Sequence, residues 1–157
     1  MAGLSHHSLV VWQRADDLFI KVHLLARNGF PASERFELGT QLRRAAYSVA
    51  ANIVEGSARR HRKDRLHFFN IAEGSLAEVG YCVHVAGRLG YITNDTRESL
   101  EREIRAVGAP LIGLIRSTRT MTNVPPTSPT RPTRPTRLTR PELAGVSYVD
   151  APFQADD

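Results

Sequence analysis

The chain has 157 residues, enough for one domain with a single hydrophobic core. Hydrophobic residues make up 41%, charged residues 24%, and the formal net charge is +5, a composition typical of a soluble and basic globular protein. The single cysteine, Cys82, excludes an internal disulfide framework and a CxxC metal site, and no apolar run is long enough to cross a membrane.

Four amphipathic helical patterns follow one another without a strand signal between them. They cover about residues 8–28, 33–56, 62–89 and 95–119. The residues predicted to face a core are Val11, Ala15, Leu18, Val22 and Leu25; Leu38, Leu42, Ala45, Val49 and Ile53; Phe69, Ala72, Leu76, Val79, Val83 and Ala86; and Leu100, Ile104, Val107, Leu111 and Leu114.

Several residues mark where these helices begin and end. Ser8 is a predicted N-cap of the first helix, and Asn28 with Gly29 is a predicted stop. Thr93 begins the segment that caps the fourth helix. Pro110 lies inside that helix, so it must bend the helix or remove one of its hydrogen bonds.

Short connections between these helices favour an all-α fold, an antiparallel up-down-up-down four-helix bundle. The helical pattern ends near residue 122, and residues 127–137 then repeat a Thr-Arg-Pro unit. Because proline lacks an N–H donor and little in this segment is apolar, we predict a disordered tail. The predicted domains are therefore a bundle at 1–122 and a tail at 123–157.

The sequence lacks the common catalytic and cofactor-binding motifs. Neither lysine follows a glycine, so there is no phosphate-binding loop, and neither Gly-x-Gly-x-x-Gly nor Gly-x-Ser-x-Gly occurs. The six histidines are scattered, and Cys82 lies on an apolar helix face typical of a core residue. We therefore expect no metal, no cofactor and no enzymatic activity. The first seven residues lack the basic start and apolar core of a signal peptide, which favours a cytoplasmic protein.

Positive charge is concentrated in one segment. Residues 59–65 hold five cations against one anion, and Arg43 and Arg44 lie shortly upstream. Such a cluster indicates either a polyanionic partner or only a solvated helix end. No aromatic residues are interleaved, so nucleic-acid binding would depend on charge and shape. The predicted phosphate contacts are Arg43, Arg59, Arg60, Arg62, Lys63 and Arg65.

A polar stripe runs beside the apolar face of the second helix, and the third helix offers small residues and carboxylates. The stripe is either solvent-facing or a partly buried network that fixes helix register or a subunit contact. We favour the network, because surface stripes usually carry long Glu and Lys side chains. Its predicted members are Gln41, Arg44, Ser48, Asn52, Glu55, Gly74, Ser75 and Glu78.

Three ordered motifs resemble a known family. Residues 9–15 are similar to its opening L-x-V-W-Q-x-A, residues 41–56 to its central Q-x-R-R-A-x-x-S-x-x-x-N-I-x-E-G, and residues 71–78 to its third-helix A-x-G-S-x-x-E. This family comprises the four-helix bundle proteins encoded in intervening sequences of bacterial 23S ribosomal RNA genes. The resemblance covers residues 9 to about 119.

The resemblance implies an antiparallel bundle that assembles as a ring, typically a pentamer. It also implies kinship with accessory proteins of diversity-generating retroelements, which bind RNA or DNA through a basic surface and assist a reverse transcriptase. The sequence departs from the family pattern at His61, where a capping Ser is usual, and at Arg65, where an aromatic residue is usual. The tail has no counterpart in that pattern.

Two functions are consistent with these observations. The first is a non-catalytic, oligomeric bundle that binds nucleic acid, mainly structured RNA, and acts as an accessory factor to a reverse transcriptase. The alternative is a homo-oligomeric scaffold that recruits a protein partner without contacting nucleic acid. Apolar residues beyond one helical seam, such as Val10, Trp12, Phe19 and Phe68, predict a homo-oligomer in either case.

Overall fold

A computed structural model describes residues 5–120, and this part of the chain is all-α, as the helical periodicity predicts. A short 3₁₀ turn, Ser5–Ser8, precedes four helices. They are α1 (Val10–Asn28), α2 (Leu38–Ala58), α3 (Arg62–Arg88) and α4 (Asn94–Thr120). The predicted disordered tail, 123–157, lies outside the described residues.

The helix ends confirm part of the sequence prediction. α1 ends at Asn28, and the Gly29 amide donates to the Leu25 carbonyl at 2.7 Å. The Thr93 hydroxyl accepts from the Thr96 amide at 3.2 Å, which caps α4 as predicted. The prediction for Ser8 is wrong, because Leu9 is the N-cap of α1.

α2 begins about four residues later than the sequence predicts. Residues 31–35 instead form a separate turn, in which the Glu34 and Arg35 amides donate to the Pro31 carbonyl at 3.0 and 3.1 Å. At Glu37 the backbone leaves the helical region with ψ −103°, and the helix starts at Leu38. This turn positions Phe30, a loop residue that is 2% exposed.

Each helix packs against its neighbours in sequence, and α1 also packs against α4. Along α2 and α3, Ser48 contacts Ser75 and Gly56 lies against Phe69, so residue numbers rise on one helix as they fall on the other. The same inverse order relates α1 to α2, α3 to α4 and α4 to α1. The described helices therefore form an antiparallel four-helix bundle.

The core follows the predicted periodicity with few exceptions. Leu25, Leu38, Ile104 and Leu114 are only half-buried. Ala26, Ile115 and Thr118 are buried in addition to the predicted residues. Cys82 is buried as predicted, and burial, followed by the nearby Glu78 carboxylate, raises the pKa of its thiol.

α4 continues through Pro110 and loses a hydrogen bond there, which is one of the two predicted outcomes. Proline has no N–H to donate to the carbonyl four residues earlier, that of Ala106. The Arg14 guanidinium of α1 donates to this carbonyl instead, at 2.9 Å. None of the helices within residues 5–120 is long and apolar enough to cross a membrane.

Candidate nucleic-acid interface

Positive charge is concentrated at the end of the bundle where α2 passes into α3. We call this the basic end and define it as residues 5–16, 52–68 and 110–120. It carries eight Lys and Arg side chains against three Asp and Glu, whereas the opposite end (22–44 and 80–100) carries six against four. The remaining middle section carries three against five, so the basic end alone accounts for an excess of five positive charges.

Arg60 and Lys63 are the cations of the predicted cluster that are free to bind a ligand. Both are exposed, and none of the ion pairs within residues 5–120 involves either of them. Arg59 is also exposed, but it pairs with Glu55 one turn earlier, and its guanidinium lies 5.0 Å from the centre of the Phe68 ring. Arg60 and Lys63 therefore offer phosphate-binding groups without first breaking an internal contact.

Arg62 and Arg65 are half-buried, and Arg62 makes a structural contact. Arg62 Nη1 donates to the Arg119 carbonyl at 2.7 Å, so a cation of α3 caps the C-terminal end of α4. The Nε atoms of Arg62 and Arg65 are both buried without a hydrogen-bond partner in the described chain. A cation at a helix start opposes the dipole of its own helix, but Arg62 binds the C-terminal end of the neighbouring helix, where positive charge is favourable.

Arg43 lies far from the other predicted phosphate contacts. Its Nη2 donates to the Arg35 carbonyl at 3.1 Å and to the Thr40 hydroxyl at 3.0 Å, which ties the start of α2 to the preceding loop. It precedes Arg59 by sixteen residues along α2, a separation of about 24 Å at 1.5 Å per residue. The structure therefore does not bring Arg43 to the basic end.

Sequence reasoning missed three cations of the basic end: Arg14, Arg116 and Arg119. All three are exposed. They come from α1 and α4, and antiparallel packing places the last turns of α4 beside the first turns of α3. The signal was available in the predicted topology, because the last turn of the fourth helix must meet the first turn of the third.

Three members of the predicted polar stripe form hydrogen bonds between or along α2 and α3. The Ser48 and Ser75 hydroxyls are 2.8 Å apart across the two helices. Asn52 Nδ2 donates to the Ser48 carbonyl at 2.8 Å and to the Ser48 hydroxyl at 3.0 Å. Ser75 is 9% exposed, so this contact lies at the edge of the core and fixes the register of the two helices.

The other predicted members lie outside this network. Gln41, Arg44, Gly74 and Glu78 are exposed, and Glu55 pairs with Arg59. The expectation that Arg44 belongs to a buried network is not met in the single chain, where this residue is exposed. A Cβ atom at Gly74 would meet nothing within 4 Å, so this glycine allows no close helix approach within the chain.

Potential metal ligands are dispersed over the part of the chain that the structure describes. No group of three or more His, Cys, Asp or Glu side chains within residues 5–120 is placed to hold a metal ion. A depression between α1 and α4 is lined by Arg14, Asp17, Lys21 and Glu103, and Lys21 and Glu103 neutralise each other in an ion pair.

Comparisons with known proteins place this arrangement in a wider group. The family model described as "23S rRNA-intervening sequence protein" matches residues 7–113. A crystal structure of a protein with unknown function from the S23 ribosomal protein family, from Bacteroides thetaiotaomicron, is similar with a TM-score of 0.65 and 25% sequence identity. The match covers 68% of this chain and 96% of that one. No curated protein sequence matches the chain.

Proposed function

The chain belongs to the 23S rRNA-intervening sequence protein family, and from this premise we propose that it is a non-catalytic, oligomeric bundle that binds nucleic acid. The ligand is mainly structured RNA, and it binds through the basic end. The observation that carries the proposal is the excess of cations there, where Arg60, Lys63 and Arg116 are exposed and form no internal ion pair. Phosphate groups bind such side chains with release of condensed counterions.

Homo-oligomerisation is the second part of the proposal. Several large apolar side chains of the described chain remain exposed, among them Ile20 and Leu24, one turn apart on α1 and each 51% exposed, and Tyr81, 68% exposed. Four apolar residues are predicted from the sequence to lie beyond one helical seam. Of these, Val10 is 52% exposed, whereas Trp12, Phe19 and Phe68 are half-buried. Assembly, as a pentamer in the form that the family resemblance implies, would cover such side chains and repeat the basic end around a ring.

A reverse transcriptase is the protein partner that the resemblance implies, and we include the accessory role in the proposal. The alternative is an oligomeric scaffold without direct nucleic-acid binding. It draws on the same exposed apolar side chains, so assembly alone does not separate the two functions. Nucleic-acid binding and its dependence on salt separate them.

The decisive experiment compares two triple variants of equal charge. The first is Arg60→Gln, Lys63→Gln and Arg116→Gln at the basic end. Arg59 and Arg62 are left unchanged because each makes an intramolecular contact. The matched control, Arg27→Gln, Arg88→Gln and Arg102→Gln, removes three exposed cations elsewhere on the bundle. Binding of a structured RNA is titrated against salt, with circular dichroism to check folding and light scattering to measure the mass.

We expect the basic-end variant to lose at least tenfold in affinity at low salt and the control variant to lose much less. If the three cations contact phosphates, the decrease of log affinity with log salt concentration should become shallower in the variant, by about two to three units of slope. Wild-type protein that binds neither RNA nor DNA at low salt would contradict the proposal, and an assembled protein with that behaviour would favour the scaffold.

A further inference from the structure

Three aromatic rings lie together at the start of α1, His6 and His7 in the preceding 3₁₀ turn and Trp12 in the first turn of the helix. The imidazole of His7 stacks on the Trp12 indole, with ring centres 4.8 Å apart and an interplanar angle of 23°. His6 meets Trp12 edge-on at 4.9 Å and His7 edge-on at 4.6 Å. Sequence reasoning found no aromatic residues among the cations of 59–65, because these rings come from another part of the chain.

Backbone and side-chain hydrogen bonds hold the rings in place. The Leu9 amide donates to the His6 carbonyl at 3.0 Å, and Gln13 Nε2 donates to the His7 carbonyl at 2.7 Å. Trp12 is half-buried against the core, whereas His7 is exposed. The cluster therefore has a fixed inner ring and an outer ring that solvent reaches.

The packing of α1 on α2 places this cluster at the basic end. Phe19 packs against Tyr47 with ring centres 5.7 Å apart, and the two helices run in opposite directions. Trp12, two turns before Phe19, is therefore level with about residue 54 of α2. The 3₁₀ turn that carries His6 and His7 packs against α2 as well, close to the point where Arg59 and Arg60 follow.

The histidines His61 and His67 are also exposed at this end, whereas Phe68 is half-buried. Phe68 lies beneath the Arg59 guanidinium and contacts His67 edge-on at 5.3 Å. His7 differs from both of these histidines because it stacks face to face on a second ring, that of Trp12, while its outer side is exposed to a planar ligand. Nucleobases stack on such rings with little sequence preference, since every base has an aromatic face.

We propose that His7, supported by Trp12, is a stacking site for an unpaired base, so that the nucleic acid bound at the basic end carries a single-stranded segment or loop beside the phosphates. This inference rests on the proposed function and narrows the class of its ligand. In a continuous duplex every base except those of the two terminal pairs has both faces covered by neighbouring bases, and no interior face is left for His7. The aromatic rings then select unpaired segments of the nucleic acid, and the cations supply the binding affinity.

The test uses the full-length protein and two probes, a short oligouridine and a blunt-ended RNA duplex of the same length, at low salt. Trp12 is the single tryptophan of the chain, so tryptophan fluorescence reports directly on the aromatic cluster. We expect oligouridine to quench this fluorescence and to bind more tightly than the duplex. His7→Ala should weaken oligouridine binding about tenfold, as for loss of one stacking side chain, and leave duplex binding unchanged.

His84→Ala is the matched control, since His84 is an exposed histidine near the opposite end of the bundle, and it should change neither affinity. Circular dichroism of His7→Ala checks that α1 still folds, and Trp12→Phe gives a second variant that keeps an aromatic ring. If the two probes bind equally well and His7→Ala changes neither affinity, the stacking site is overturned while the proposed function stands. If neither probe binds, the stacking site is overturned, and the titration with a structured RNA described above decides whether the proposed function stands.

Discussion

The seam between α2 and α3 and the seam between α1 and α4 hold the same bundle together by different means. Where α2 meets α3, the Ser48 and Ser75 hydroxyls face each other across the two helices and Gly56 lies directly against the Phe69 ring. α1 and α4 are bridged at their rim by long exposed side chains, Arg14 to the Ala106 carbonyl and Lys21 to Glu103. A seam of small residues has no room for added atoms, whereas flexible side chains adjust to changes around them.

The largest effect is expected from adding one carbon to the α2–α3 seam. A Cβ at Gly56 would lie 2.5 Å from Phe69 Cε1 and 3.2 Å from the Arg65 carbonyl oxygen, and Phe69 is fully buried. Gly56→Ala should therefore lower the free energy of unfolding by about 1–3 kcal/mol. Urea unfolding followed by circular dichroism, at one protein concentration, measures the change.

Gly113→Ala is the control for this substitution, because a Cβ at that position of α4 would meet nothing within 4 Å. Here the usual helix preference for alanine should raise stability by about 0.5–1 kcal/mol. If Gly56→Ala stabilised the protein as much as Gly113→Ala does, the seam would be looser than the structure indicates.

The hydrogen bond across the same seam should have an intermediate effect. A double-mutant cycle of Ser48→Ala and Ser75→Ala removes the 2.8 Å contact from either side, and the coupling energy should be about 1 kcal/mol. Ser117→Ala, which removes an exposed hydroxyl bonded only to the Leu114 carbonyl, should change stability by less than about 0.5 kcal/mol. Additive effects of the two seam substitutions would show that the hydroxyls do not interact.

The smallest effect is expected at the α1–α4 rim. Arg14→Ala should cost about 0.5–1 kcal/mol, because the Ala106 carbonyl then has no donor other than solvent. In a Pro110→Ala background residue 110 regains an amide N–H that can donate to that carbonyl, so the same Arg14 substitution should cost almost nothing. An Arg14→Ala penalty that is equal in both backgrounds would disprove the compensation.

Local patterns in the sequence were sufficient to predict the helices but not every boundary. Apolar spacing located α1, α3 and α4 to within about two residues, and Leu18, Val49, Phe69 and Leu111 are buried as predicted. The start of α2 was misjudged because Glu34 looks like a helix start, whereas its amide belongs to a separate turn with Pro31. A single sequence does not reveal which of two adjacent turns continues into a helix.

The candidate site was predictable where its residues are neighbours in the chain. Arg59, Arg60 and Lys63 stand out as a run of charge and do lie together. Arg116 and the His7–Trp12 pair join them only through the packing of α4 and α1 on the other helices, which depends on helix register. Arg44 lies one turn before Ser48 on α2 and is exposed, which the spacing of polar residues alone does not reveal.

The three residues that connect α2 to α3, 59–61, both close a tight hairpin and carry charge. Arg59 and His61 have extended backbones, with ψ of 138° and 134°, and the Arg59 amide donates back to the Gly56 carbonyl at 3.3 Å. An inserted or deleted residue here would shift the α2–α3 pairing, whereas the nine-residue connection at 29–37 is long enough to absorb one. The basic end can therefore diverge in evolution through exchange of residue types at constant loop length, and length variation is expected at the opposite end of the bundle.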